Sequence, residues 1–393
     1  MNKKWTYKKI GEVGTLLRGK GIQKTDFIEN GQPCIHYGQI HTAFNVSTDK
    51  HLSTISTDLY NKSIIASTGD VLLTLTSEDV EGSCKSTAWL GNYDVAVSSD
   101  AAIFKHSLNP KFFVYYTRSN SFFVQKSKYA KGFKVTHIKT SDLAEILIPV
   151  PNREEQNAIV FELDKINELI LLKKSQLKEL EDLCQSIFYD AFGDPISNSK
   201  GFPIRRLSDV CIINPPKKGI IENLSQNANI SFLPMEDLKI GCIYFTPVRN
   251  ISVNDAQSYT YFNENDLLMA KVTPCFENGK IAIMHHLTHQ TGCGSSEFHV
   301  FRVTDQLINE FLYFTLKTKS FIADATKRLT GTSGLRRVPK EFVQNLLIGI
   351  PPIEEQISFR KKIALIEEQK RLININLIQL NTLLASRMQY WFD

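Results

Sequence analysis

Ile148-Pro-Val-Pro-Asn-Arg-Glu-Glu-Gln156 and Ile348-Gly-Ile-Pro-Pro-Ile-Glu-Glu-Gln356 carry one pattern at two places, 200 residues apart. Pro151, Glu154, Glu155 and Gln156 return as Pro351, Glu354, Glu355 and Gln356. Self-similarity at a fixed spacing is the mark of internal duplication. Weaker matches follow in the same order at offsets of 196 to 199: Trp5-Thr-Tyr-Lys-Lys-Ile10 with Phe202-Pro-Ile-Arg-Arg-Leu207, Asp70-Val-Leu72 with Asp266-Leu-Leu268, Ser98-Ser-Asp100 with Ser295-Ser-Glu297, and Ser121-Phe122 with Ser320-Phe321. Chance matches would not stay collinear, so the chain reads as two copies of one fold.

Between these anchors each copy consists of short β-branched and aromatic runs separated by Gly, Asn, Asp and Pro, such as Asp70-Val-Leu-Leu-Thr-Leu-Thr76 and Phe298-His-Val-Phe-Arg-Val303. Helical patterns near Phe112 to Val124 and Phe311 to Lys327 precede the last strand of each copy, which makes each globular part α+β. Gly193-Asp-Pro-Ile-Ser-Asn-Ser-Lys-Gly-Phe-Pro203 has the composition of a joint.

After each Pro-rich strand end comes a helix start. Asn152 is placed to cap with Glu155 in the third helical position, and Pro352 suits the first turn of the second helix. Apolar residues then alternate at three and four: Ile159, Leu163, Ile166, Ile170, Lys173, Leu177, Leu180, Cys184 and Ile187, and again Phe359, Ile363, Ile366, Lys370, Ile373, Leu377, Leu380 and Leu384. A 3.5-residue repeat over four heptads is a coiled-coil seam, and a lysine near its middle helps to set register at a cost in stability. The alternative is that each helix packs only on its own domain. Mutual antiparallel pairing of helices about 55 Å long would put one globular domain at each end, around a pseudo-two-fold axis.

The bulk properties narrow the classes. The chain has 393 residues, 42% hydrophobic and 22% charged, with a net charge of +5, which permits a nucleic-acid partner without establishing one. Seven scattered cysteines with no C-x-x-C pair point to reduced thiols and to no metal site. A polar start and no apolar run near 18 residues predict neither a leader nor a membrane span.

A domain ending in a hydrophobic strand, then I-P-x-P-x-x-E-E-Q, then a heptad helix, an order that occurs twice and in the first copy closes in the phenylalanine-rich F-G-D-P stretch from Phe188 to Pro195, resembles the specificity subunit of type I restriction-modification systems. The resemblance covers essentially the whole chain. It departs at Gly349, where the first copy has Pro149, and at Pro352-Ile353 against Asn152-Arg153. It implies target recognition domains at residues 1–150 and 204–350, spacer helices at 151–193 and 351–393, and a linker at 194–203. It also implies a cytoplasmic protein of a bacterium or archaeon that binds double-stranded DNA as an asymmetric, gapped, two-part target. Two methyltransferase subunits would dock on its helices, with restriction subunits attached through them. No cofactor is expected in this chain; S-adenosylmethionine, ATP and Mg belong to the partner subunits.

Candidate DNA-binding residues follow from local charge. Lys126, Lys128, Lys131, Lys134 and His137 lie in a stretch without acids, and Lys327, Arg328, Arg336 and Arg337 lie in the corresponding stretch of the second copy. Lys131-Gly-Phe-Lys-Val-Thr-His137 and Gly331-Thr-Ser-Gly-Leu-Arg-Arg337 read as loops able to approach phosphate or a groove. Arg18, Lys20, Lys24, His36 and Gln39 in the first copy, and Lys217, Lys218, Arg249, Lys271 and Lys280 in the second, offer donors for base edges. The plain alternative for each is a solvated or structural side chain.

Catalysis has weak support. Asn214-Pro215-Pro216 resembles the N-P-P-aromatic motif of adenine methyltransferases, but Lys217 stands at the aromatic position and no glycine-rich adenosylmethionine loop accompanies it. No P-loop is present, Asp70 and Glu81 make no nuclease constellation, and Glu154-Glu155 suits a helix start. The alternatives are a non-catalytic coiled-coil adaptor and the recognition component of a methylation-only system.

Overall fold

The computed structural model describes residues 5–130, 132, 135–218, 224–332 and 335–393. The chain divides into two compact units, residues 1–173 with 376–393, and residues 174–375.

In the first unit, a five-stranded mixed sheet runs Gly14–Arg18, Ala101–His106, Val71–Thr74, Ser86–Trp89, Ser47–Thr48. A four-stranded sheet runs Ser53–Ile55, Gln32–Ile35, Val95–Val97, Ile64–Ala66. The second unit has the same two sheets in the same order: Cys211–Ile213, Phe298–Val303, Leu267–Ala270, Ile281–Met284, Tyr244–Phe245, and Arg249–Ser252, Asn229–Leu233, Thr291–Gly294, Thr260–Asn263. Register repeats as well: Ile103 pairs with Leu72 as Val300 does with Leu268, and Ala96 with Cys34 as Cys293 does with Phe232. The expected α+β fold and its duplication are therefore present strand by strand. The two helical patterns each break in two, at Pro110–Tyr116 and Asn120–Ser127, and at Asn309–Thr315 and Lys319–Lys327. Ser119 and Thr318 cause the breaks, because each side chain caps a new helix by accepting the amide of Phe122 or Phe321.

Each copy ends with a strand paired to its own beginning, Leu147–Val150 on Thr6–Lys9 and Leu347–Gly349 on Ile204–Arg206, and then enters a 40-residue helix, Arg153–Phe192 or Ile353–Phe392. The Asn152–Glu155 capping box forms in both directions, at 2.9 and 3.1 Å. Gln156 and Gln356 explain the last letter of the shared motif. Both are buried, at 4% and 0% exposure. Each amide accepts the backbone N–H that opens a neighbouring short helix, Asn109 (2.8 Å) or Ile308 (3.0 Å), and donates to Pro151 or Pro351 (2.8 Å each). Removing it leaves buried backbone groups unsatisfied. Gln356→Leu is expected to cost about 1–3 kcal/mol in chemical denaturation of the full chain, whereas exposed Glu354→Gln stays within about 0.5 kcal/mol.

Helix pairing is antiparallel within each unit. In the first, Glu162 on the first long helix receives Arg387 and Trp391 from the end of the second, the Arg387 Nη2 contact being 3.1 Å. Ile159 and Leu163 share a core with Leu384, Met388 and Phe392. In the second unit Phe188 and Phe192, near the end of the first long helix, pack on Phe359 near the start of the second. Of the heptad positions, Ile159, Leu163, Ile166, Ile170, Phe359, Ile363, Ile366 and Leu377 are buried, and Leu177, Leu180, Ile373, Leu380 and Leu384 half-buried. Lys370 is buried in the second unit, its ammonium donating to Glu367 (2.7 Å) and the Gly241 carbonyl (3.4 Å). All seven cysteines are free thiols. Among the described residues no helix is long and apolar enough to cross a membrane.

Candidate nucleic-acid interface

In both units the residue two positions past one central strand meets a short segment from the basic stretch. Thr76 pairs with His137 in the first, and Val272 with Arg337 in the second. The loop before the neighbouring strand supplies an acid at each place, Asp100 or Glu297.

In the first unit Arg18, at the end of its strand, donates to the Ser99 carbonyl (2.8 Å), with its guanidinium 3.7 Å from Asp100. The His137 ring lies 3.1 Å from the Thr76 hydroxyl, and His41 Nε2 2.9 Å from the Thr76 carbonyl. Tyr37, His41, Thr76, Asp79 and Val135 line a cavity of about 610 Å³ beside them. Lys20, Lys24 and Lys128 are exposed. Lys131 and Lys134 lie outside the described residues.

Three of the candidates are tied into the domain by hydrogen bonds. His36 accepts the Gly38 amide as a helix cap, and desolvation holds its pKa below the usual histidine value. Gln39 completes that capping box and donates to Ser53 (2.6 Å). Lys126 is buried with its ammonium on the Glu81 (2.9 Å) and Ser83 (2.5 Å) carbonyls. These contacts help to hold the domain together.

In the second unit Arg337 grips Glu297 through Nε and Nη2 (2.8 and 2.7 Å) and so lowers the pKa of that carboxylate. Its backbone exchanges hydrogen bonds with Thr330 (2.8 and 3.0 Å), and Thr273 donates to the Arg336 carbonyl (2.9 Å). Arg336 is thereby held on a bridged segment with an exposed side chain. Lys271 donates to the Ser296 carbonyl (2.7 Å) at the same place. Behind them His299 is buried between Asn214 and the Val338 carbonyl, and desolvation lowers its pKa to about 4, so the ring is neutral. Asn214 directs its amide oxygen to Val300 N–H (2.8 Å), which makes the Asn-Pro-Pro stretch a structural turn.

The other candidates are scattered. Lys217 donates to Gln257 and lies over the Tyr261 ring. Arg249 pairs with Asp237 (2.8 Å), and Lys280 donates to the Met235 carbonyl (2.7 Å). Arg328 pairs with Asp324 (3.3 Å) and covers Phe342, while Lys218 and Lys327 are exposed. Asp100 and Glu297, which position Arg18 and Arg337, were not among the expected site residues. Their signal was in view, because Ser98-Ser-Asp100 and Ser295-Ser-Glu297 are one of the repeated matches.

A family model for the type I restriction modification DNA specificity domain matches residues 2–182 and again 199–379. The chain is 33% identical over 166 residues to the type I restriction enzyme EcoAI specificity subunit of Escherichia coli, covering 41% of this chain and 27% of that protein. It is 28% identical over 253 residues to the EcoEI specificity subunit of the same organism, covering 61% and 41%. The alignments thus span less than half the length of these curated relatives. Among solved structures, the S subunit of a type I restriction-modification system from M. genitalium superposes with a TM-score of 0.53 at 14% identity, over 98% of this chain and 96% of that one.

Proposed function

Because the chain belongs to the type I restriction modification DNA specificity family, we propose that it is the DNA-reading, non-catalytic subunit of a cytoplasmic type I restriction-modification enzyme. The observation that carries the reading is the duplicated cluster with unlike chemistry. One copy offers Arg18, Thr76 and His137 around Asp100, and the other Arg336, Arg337 and Lys271 around Glu297. Arginine forks suit guanine edges and phosphates, while hydroxyl and imidazole groups suit other patterns, so two such clusters read two different half-sites. The target is then asymmetric and gapped, with half-sites about one helical turn apart, near 34 Å.

The chemistry comes from other chains in this reading. Asn214 has its amide engaged inside the fold, and the acids at the clusters are paired with arginines. Phe161, Leu172, Leu365 and Ile378 are apolar side chains exposed on the long helices, and in this reading they are available to partner subunits. Two methyltransferase subunits dock there, bringing S-adenosylmethionine; restriction subunits attached through them bring ATP and Mg.

The test is to express the full chain with the methyltransferase subunit of its own system and map modified adenines across a genome. A two-part motif with a fixed gap is expected. An uninterrupted motif, or no modification by a verified complex, refutes the reading.

A further inference from the structure

A groove of about 820 Å³ lies in the second unit between the edge strand Tyr244–Phe245, the helix Asn309–Thr315 and the early turns of the second long helix. Tyr244, His285, Asn309, Glu310, Arg360 and Ala364 line it. Glu310 is only 7% exposed. One carboxylate oxygen accepts the Tyr244 hydroxyl at 2.8 Å, and the other has no hydrogen-bond partner among the described residues. Beside it the buried Asn309 Oδ1 also lacks a partner, its amide nitrogen being used on the Asn265 carbonyl (2.6 Å). His285 supplies little positive charge: desolvation lowers its pKa, and its ring lies 3.5 Å from Glu264. Arg360 is exposed and forms no ion pair among the described residues. The groove thus presents one carboxylate oxygen and one amide oxygen that accept no hydrogen bond among the described residues.

The first copy shows what is missing. Since Asn109 and Ile308 both donate to the motif glutamine, Lys111 corresponds to Glu310; since Gln156 corresponds to Gln356, Asp164 corresponds to Ala364. In the first unit Lys111 and Asp164 form an ion pair at 2.8 Å, and Tyr115 donates to the same carboxylate (2.7 Å). In the second copy the base has become an acid and the acid a methyl group. The junction has lost the lysine of that internal pair and gained a carboxylate in its place.

We propose that the Glu310 groove receives a lysine ammonium or arginine guanidinium from a methyltransferase subunit docked at the start of the second long helix. This rests on the functional reading above, and charge complementarity supplies the chemistry of the occupant. The functional reading supplies its source, because Leu365, next to Ala364 on the groove wall, is 72% exposed and is one of the apolar side chains that reading makes available to the methyltransferase subunit. The two methyltransferase subunits are therefore held unequally, one through an ionic anchor that the other lacks.

The experiment titrates the full chain with its methyltransferase subunit and follows the stepwise association by native mass spectrometry. Two steps are expected for the unaltered chain, and Glu310→Gln should weaken one of them at least tenfold while sparing the other. The double variant Glu310→Lys with Ala364→Asp rebuilds the internal pair of the first copy. It should lose the same step while keeping its melting temperature, which separates blocking from misfolding. Arg360→Ala should leave both steps intact. Unchanged binding by Glu310→Gln overturns the proposal, as does Arg360→Ala reproducing its loss, for then Arg360 itself serves the carboxylate. If the unaltered chain binds no methyltransferase subunit, the functional reading fails and this proposal with it.

Discussion

Replacing residues 204–350 with the corresponding segment of a relative should change one half of the methylated motif and leave the other half and the gap length unaltered. The segment carries both sheets of the second unit and its whole cluster, from Lys271 through Glu297 to Arg336 and Arg337. It leaves Arg18, Thr76, His137 and Asp100 untouched, and both long helices stay intact. A protein–DNA interface loses about 1–3 kcal/mol per mismatched base pair, so a new second domain abandons its old half-site altogether. Genome-wide mapping of methylated adenines reads the result. A motif altered in both halves, or in gap length alone, would count against independent reading by the two copies. The incoming segment must keep aromatic residues at Phe311 and Phe314, because Phe188 of the retained first long helix packs on them.

Phe188→Ala should be among the most destabilising single changes in the chain, at about 3–5 kcal/mol, the usual range for emptying a buried aromatic site. Phe188 is fully buried, with ring centroids 5.4 to 5.7 Å from Phe192, Phe311, Phe314 and Phe359. Those rings come from the first long helix, a short helix of the second domain and the second long helix, so one truncation loosens three elements. Phe161→Ala, on the same helix but exposed, should shift stability by no more than about 0.5 kcal/mol. Chemical denaturation of the full chain compares them, and equal midpoints for the two variants would contradict the packing described.

The candidate site was only partly legible. The repeated basic stretches share one placement, since His137 and Arg337 each pair with a residue two positions past a central strand. Composition cannot distinguish an exposed lysine such as Lys128 from Lys126 two residues earlier, whose ammonium is satisfied by carbonyls from residues 81 and 83. The difference depends on a loop more than forty residues away along the chain. His36 and Gln39 are ambiguous in sequence for the same reason, because a polar pair at that spacing also forms a capping box.

By itself, the sequence determined the duplication, the two heptad seams and the helix starts, because those depend on periodicity and on local backbone chemistry. It posed pairing between the helices and packing on the domains as alternatives, and tertiary structure decided that both occur. The start of each long helix packs on the domain it follows, as Ile159 and Leu163 do in the first unit and Phe359 and Ile363 in the second. The end of each helix completes the core of the other copy: Phe188 and Phe192 join the second domain, and Met388 and Phe392 the first. A heptad pattern specifies which face of a helix is apolar and leaves open what will cover it. Only the fold, by bringing residues some 200 positions apart into one core, supplies the partner.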